Sequence, residues 1–150
     1  MSRTPSIRIA TRAIIVHNDR LLLVNAYKGR GDLWCAPGGG AELHQSLPEN
    51  LAREVFEETG LTIKTGAPCL LNEFHDPTGD YHQVDVFFRC TITNPELDPA
   101  WEDPEAIVTL RKWATRAEVD AMTVRPKSLA AVAWGDVGAP AYDPLEAILK

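Results

Sequence analysis

The sequence predicts an α+β fold, a mixed β-sheet with helices packed on it, and three observations predict it. Stretches that alternate apolar and polar residues come before, between and after helical stretches, without the regular strand–helix repetition of parallel α/β folds. The clearest strand, His82–Cys90, puts Val84, Val86, Phe88 and Cys90 on one side and Gln83, Asp85 and Arg89 on the other. A length of 150 residues with 45% hydrophobic and 24% charged side chains suits one globular domain, residues 1–150.

Taken in order, Ile7–Val16 reads as a strand, because Ile7, Ile9, Thr11, Ala13 and Ile15 alternate with Arg8, Ala10 and Arg12. His17-Asn18-Asp19-Arg20 has turn composition, and Leu21–Ala26 is a short buried-type strand. A polar loop, Lys28–Asp32, leads to a short strand around Leu33–Ala36. At Pro37-Gly38-Gly39-Gly40 no regular element is expected to continue. The clearest helix spans Leu47–Thr59: Ser46 and Glu49 form a Ser-x-x-Glu start, Pro48 lies in the first turn, and Gly60 follows the end. Leu51, Ala52, Val55 and Phe56 form its expected apolar face.

Asn94–Pro104, with Pro95, Pro99 and Pro104, is expected to be a loop. Ile107–Trp113 reads as a strand, and Thr115–Met122 and Pro126–Trp134 as short helices. The core is expected over about residues 7–134, with 135–150 as a docked C-terminal tail.

Fifteen basic against 21 acidic side chains give a net charge of −6, which argues against a nucleic acid polymer as partner. Apolar runs such as Leu129–Trp134 are too short to span a membrane. Cys35, Cys69 and Cys90 are odd in number and widely spaced, which fits neither a disulfide framework nor a zinc site and points to a reducing compartment. Arg3, Arg8 and Arg12 precede the first acidic residue, Asp19, as in a transit peptide. The strand alternation outweighs that likeness, so the expected location is cytoplasmic.

One feature of the helix is not explained by packing. Glu54, Glu57 and Glu58, three and four residues apart, fill a narrow stripe beside the apolar face. Like charges at that spacing oppose a helix by ~0.2–0.5 kcal/mol per pair. The dipole at the helix C-terminus adds ~0.3–1 kcal/mol against each. Arg53 offsets only part of this, and Glu49 competes for it. Either the stripe is solvated or a cation sits there. Because it borders the buried face and follows a three-glycine turn, the cation is favoured, and an all-oxygen donor set suits Mg²⁺ or Mn²⁺.

The segment from Gly39 to Leu61 resembles the signature box of the Nudix hydrolases. That pattern runs Gly, five residues, Glu, seven residues, Arg-Glu, an aliphatic, any residue, Glu-Glu, any residue, Gly, an aliphatic. Gly39, Arg53, Glu54, Val55, Glu57, Glu58, Gly60 and Leu61 match it. The preceding Trp34–Gly38 is similar to the strand that leads into the box. One position departs from the pattern: Gln45 stands where the family has its first Glu, and the residue just before it, usually Gly, is His44. Gln45 keeps an acceptor for Arg53 and loses the charge.

The resemblance implies a Nudix-like α/β/α sandwich and a metal-dependent hydrolase acting on a nucleoside diphosphate linked to another group. It implies Glu54, Glu57 and Glu58 as metal ligands, a backbone carbonyl at Gly39 as a further ligand, and Arg53 as the residue orienting Glu54. Family members differ in the general base, and Glu102 or Glu105 is the candidate from the proline-rich loop. Relatives acting on ADP-ribose carry a proline about sixteen residues past the box, where this chain has Pro77. Relatives acting on dinucleoside polyphosphates carry a tyrosine slightly further on, where Tyr81 stands near. Arg30 and His75 are further candidates to meet substrate. A small nucleotide is the expected partner, with nucleotide sugars ahead of nucleoside triphosphates and dinucleoside polyphosphates, and a homodimer is left open. The alternative functions are a Nudix-like nucleotide sensor with little turnover, which Gln45 allows, and a structural acidic domain.

Overall fold

The computed structural model describes residues 5–136 and 138–149. Eight strands and three helices follow in order: β1 (Arg8–His17), β2 (Arg20–Asn25), β3 (Trp34–Cys35), β4 (Gly38–Gly40), α1 (Leu47–Thr59), β5 (Ile63–His75), β6 (His82–Ile92), β7 (Arg111–Ala114), α2 (Arg116–Ala121), α3 (Leu129–Ala133) and β8 (Ala141–Ala147). The sheet is mixed. β1 runs parallel to β6 from Arg8 to Ile15, β6 is antiparallel to β5, and β8 adds to β5 in parallel. At its far end β1 turns into β2 through Asn18 and Asp19, both left-handed (φ 50 and 60), the geometry that matches strand twist in a tight hairpin. β3 and β7 flank β2.

Alternation along β1 and β6 sends side chains to two layers. Ala13, Ile15, Phe88 and Cys90 meet Leu51 and Val55 of α1 on one face. Ile14, Leu70 and Phe87 meet Val119 of α2 and Leu129 and Ala133 of α3 on the other. The result is the expected helix–sheet–helix sandwich, with a mixed sheet between.

Several expectations need correction. The glycines 38–40 do form a strand, β4, paired with Thr11 and its neighbours on β1. Gly38 (φ 151) lies so close to the Thr11 carbonyl that no Cβ fits, so glycine permits this pairing rather than ending it. β5 carries no clean alternation because its register shifts twice around Pro68, which hides a long strand from a period-2 reading. The strand expected from Ile107 begins only at Arg111, since Asn25 Oδ1 accepts the backbone N–H groups of Thr109 and Leu110, both at 2.9 Å. Phe56 is exposed rather than core-facing and packs edge-on against Trp101 at 5.1 Å. The docked tail supplies β8.

His44 adopts φ 71, a left-handed conformation that disfavours residues with a Cβ. His44→Gly is expected to stabilise the fold by about 1 kcal/mol, read as a raised Tm.

Candidate functional site

α1 begins where Ser46 Oγ accepts the Glu49 N–H at 3.2 Å, and it ends at Gly60 (φ 76), whose N–H returns to Phe56 O at 2.8 Å. This register buries Glu54 and Glu58 and leaves Glu57 half-buried beside them. The helix end is not left bare. Trp101 Nε1 donates to Glu57 O at 2.8 Å, and Arg111 Nε donates to Glu58 O at 2.5 Å. These donors offset the negative helix end that opposes glutamates there. Trp101 fits because Gly60 has no side chain; a Cβ there would stand 2.9 Å from the indole.

The glycine strand lets the α1 carboxylates approach the sheet. Glu58 Oε1 accepts the Gly38 N–H at 2.7 Å, and the Glu54 carboxylate occupies the space a Cβ on Gly39 would need. Arg53 binds the group together from the side. Its Nη1 donates to Glu54 Oε1 at 3.3 Å and to Glu57 Oε1 at 3.2 Å, its Nη2 to Asn50 Oδ1 at 2.9 Å, and its Nε to Gln45 Oε1 at 3.3 Å. Gln45 therefore serves Arg53 through its carbonyl.

A fourth carboxylate arrives from the loop before β7. Glu54, Glu57 and Glu105 each place an oxygen within 4.8 Å of the others. Buried Asp103 holds that loop in shape: it accepts the N–H groups of Glu105 (3.0 Å), Ile107 (3.2 Å) and Val108 (2.9 Å), around a left-handed Ala106 (φ 56). Sequence reasoning missed Asp103, Asn25 and Arg111. Only the Asp103-Pro104 turn pattern hinted at the first.

A cleft of about 740 Å³ opens beside these groups. Gly39, Glu54, Glu58 and Glu105 line it, together with Arg8, Arg12, Asn72, Phe74, Tyr81, Gln83, Asp85 and Arg125. The other sequence candidates lie elsewhere. Glu102 is exposed and is not among the lining residues. Nor is Arg30, which is held by Asp32 at 3.0 and 2.8 Å and lies 5.2 Å from the centre of the Tyr27 ring. His75 ends β5, 5.9 Å from the His82 ring, and Pro77 is exposed in the turn that follows.

Burial sets the charge state of this corner. It pushes the Glu58 carboxyl up to about 8, against the opposing pull of Arg12 and the Gly38 N–H. Burial also raises Glu54, which Arg53 partly counters. For Arg12, burial lowers the pKa but Asp85, Cys35 and Glu58 outweigh it, so the guanidinium stays charged. Glu54, Glu57 and Glu105, with Glu54 buried and Arg53 bridging Glu54 and Glu57, form a donor set that fits a hard divalent cation.

The sequence profile described as NUDIX domain matches residues 7–134. This chain belongs to the Nudix family.

Members of that family generally use divalent metals such as Mg²⁺, in keeping with the oxygen cluster of this Nudix domain. Diphosphoinositol polyphosphate phosphohydrolase 3-alpha of Mus musculus is 36% identical over 95 residues, 63% of this chain and 54% of that protein. The chain thus spans about half the length of the curated relatives it matches. Among solved structures, the MutT protein of Bacillus halodurans superimposes with a TM-score of 0.68 at 26% identity, covering 87% of this chain and 84% of that one. An ADP-ribose pyrophosphatase of Streptococcus suis shares the fold with a TM-score of 0.68 at 22% identity, over 93% of this chain and all of that one.

Glu58 titrates near 4.5 when unfolded and near 8 in the metal-free fold, so between those values the folded state holds the extra proton and stability falls as pH rises. Metal-free protein is therefore expected to melt higher at the acidic end of that window, with Glu58→Gln flattening the slope in a pH series of Tm measurements. Mg²⁺ is expected to raise Tm most at the alkaline end. Asp103→Ala leaves three N–H groups without their acceptor and is expected to cost about 1–3 kcal/mol in denaturant melts.

Proposed function

We propose that this Nudix domain hydrolyses a phosphoanhydride bond in a nucleoside diphosphate linked to another group, with Mg²⁺ or Mn²⁺ as cofactor. The observation that carries the reading is the convergence of Glu54, Glu57 and Glu105 beside buried Glu58, with Glu54, Glu58 and Glu105 lining the cleft. Glu54, Glu57, Glu58 and the Gly39 carbonyl would hold the cation. When bound, it neutralises the phosphate oxygens and lowers the pKa of water. Arg53 keeps the Glu54 and Glu57 carboxylates aimed at that point. Glu105 takes the proton of the attacking water, since it stands at the cluster and lines the cleft whereas Glu102 does neither.

The cleft's charge selects among substrates. Its basic side chains are Arg8, Arg12 and Arg125, and Arg12 Nε already stands 3.8 Å from Asp85 Oδ1. Glu42, Asp85 and Glu146 line the same walls. A polyphosphate as densely charged as a diphosphoinositol polyphosphate would meet too few cations there. A nucleotide sugar such as ADP-ribose, with one diphosphate and aromatic contacts available at Phe74 and Tyr81, fits better. Pro77 supports this class through its spacing from the box, shaping the turn that leads to Tyr81 rather than touching the cleft. A cytoplasmic location would supply such substrates.

The test is Mg²⁺-dependent release of nucleoside monophosphate from a panel of ADP-ribose, other nucleotide sugars, dinucleoside polyphosphates and nucleoside triphosphates. Glu57→Gln and Glu105→Gln are each expected to lower kcat by about a hundredfold or more, with Tm little changed. Turnover close to wild type in both variants would remove the assignment. Nucleotide binding without turnover in the wild-type protein would replace it with the sensor reading that Gln45 leaves open.

A further inference from the structure

The floor of the cleft carries polar side chains, Asn72, Gln83 and Asp85, that the hydrolytic chemistry does not use. Asn72 of β5 faces Asp85 of β6, which faces Ala10 of β1, which faces Gly40 of β4. Asn72 is therefore three strand spacings, roughly 14 Å, from the glycine strand where the carboxylates converge. That separation lies within the span of an extended nucleoside diphosphate.

The polar neighbours of Asn72 are committed to one another. Gln83 Oε1 accepts from Arg8 and from Tyr81, and Gln83 Nε2 donates to Asp85 Oδ1 at 2.7 Å. Asn72 differs. The residue is 2% exposed, it lines the cleft, and among the described residues its Nδ2 has no hydrogen-bond partner. A buried amide donor left unpaired is costly and rare, so an unpaired one beside a cleft calls for an acceptor from outside the chain. Phe74, two residues along the same face of β5, packs its ring 5.8 Å from that of Tyr81. A free N–H next to an aromatic pair is the chemistry that receives a flat heterocycle with an acceptor on its edge.

We propose that Asn72 reads the base of the substrate, donating its free amide N–H to a ring nitrogen of adenine while Phe74 and Tyr81 pack against the ring. This deepens the nucleotide-sugar reading and rests on it. Asn72 acts on specificity and takes no part in bond cleavage.

The test measures binding, so it stands whether or not the protein turns over any substrate. ADP, its 1-deaza, 3-deaza and 7-deaza forms, and inorganic pyrophosphate as a base-free control are titrated with Mg²⁺ into wild-type protein and Asn72→Ala. Wild type is expected to lose about tenfold in affinity for one of the three deaza compounds, as befits one hydrogen bond. Asn72→Ala is expected to lose the same factor for ADP, to treat that deaza compound like ADP, and to bind pyrophosphate as wild type does. Equal affinity of wild type for ADP and all three deaza forms overturns the proposal, and this arm needs no variant to fold. Unchanged ADP affinity in Asn72→Ala, a matching loss for pyrophosphate, or no ADP binding by wild type overturns it as well. Absence of turnover across the substrate panel, with these binding results intact, would count against the hydrolase reading alone.

Discussion

Mutual repulsion among carboxylates organises this structure. Glu54, Glu57 and Glu58 stand within two turns at the negative end of one helix, and Glu105 is brought to them from a distant loop. Nothing in the packing of α1 asks for this. Leu51 and Val55 bury the helix against the sheet without help from the acids. Burial, with like charge beside it, raises the protonation tendency of Glu54 and Glu58. The crowding also creates a strong site for any ion able to replace the lost solvation.

The rest of the site reads as a response to that crowding. Arg53 divides its guanidinium among Gln45, Asn50, Glu54 and Glu57, fixing directions more than cancelling charge. Trp101 and Arg111 take the last carbonyls of α1, so the helix end does not add to the repulsion. Three residues without side chains, Gly38 to Gly40, give the carboxylates a way to the cleft past the edge of the sheet. Asp103 and Asn25 then hold the loop that delivers Glu105 by accepting its backbone N–H groups, a rigid connection built without regular secondary structure. Stability and function compete at this corner, and the fold concedes some of the former there.

Much of this was legible in the chain. The bounds of α1 and its Ser46 and Gly60 ends follow from local patterns, the use of Gln45 as an acceptor for Arg53 follows from the family resemblance, and the structure agrees at each. β6 was legible because Val84, Val86, Phe88 and Cys90 alternate with Gln83, Asp85 and Arg89, although the fold covers both of its faces. β5 was not, since its shifts around Pro68 break the period by which a strand is recognised. The glycine strand was misread because flexibility in sequence says nothing of the edge that selects one conformation. Arg30 and His75 were candidates by residue type alone, and residue type does not say which side of a wall a side chain occupies.

What the amino-acid order determined by itself is the helix and the stripe of acids on it, because helical periodicity relates residues three and four apart without reference to anything else. Tertiary structure decided what joins that stripe. Glu105 lies 47 to 51 residues beyond the helix acids, and Asn72 meets Asp85 only through the register of two strands. Such partners are chosen by burial and backbone pairing across the sheet, where separation along the chain carries no information about distance in space.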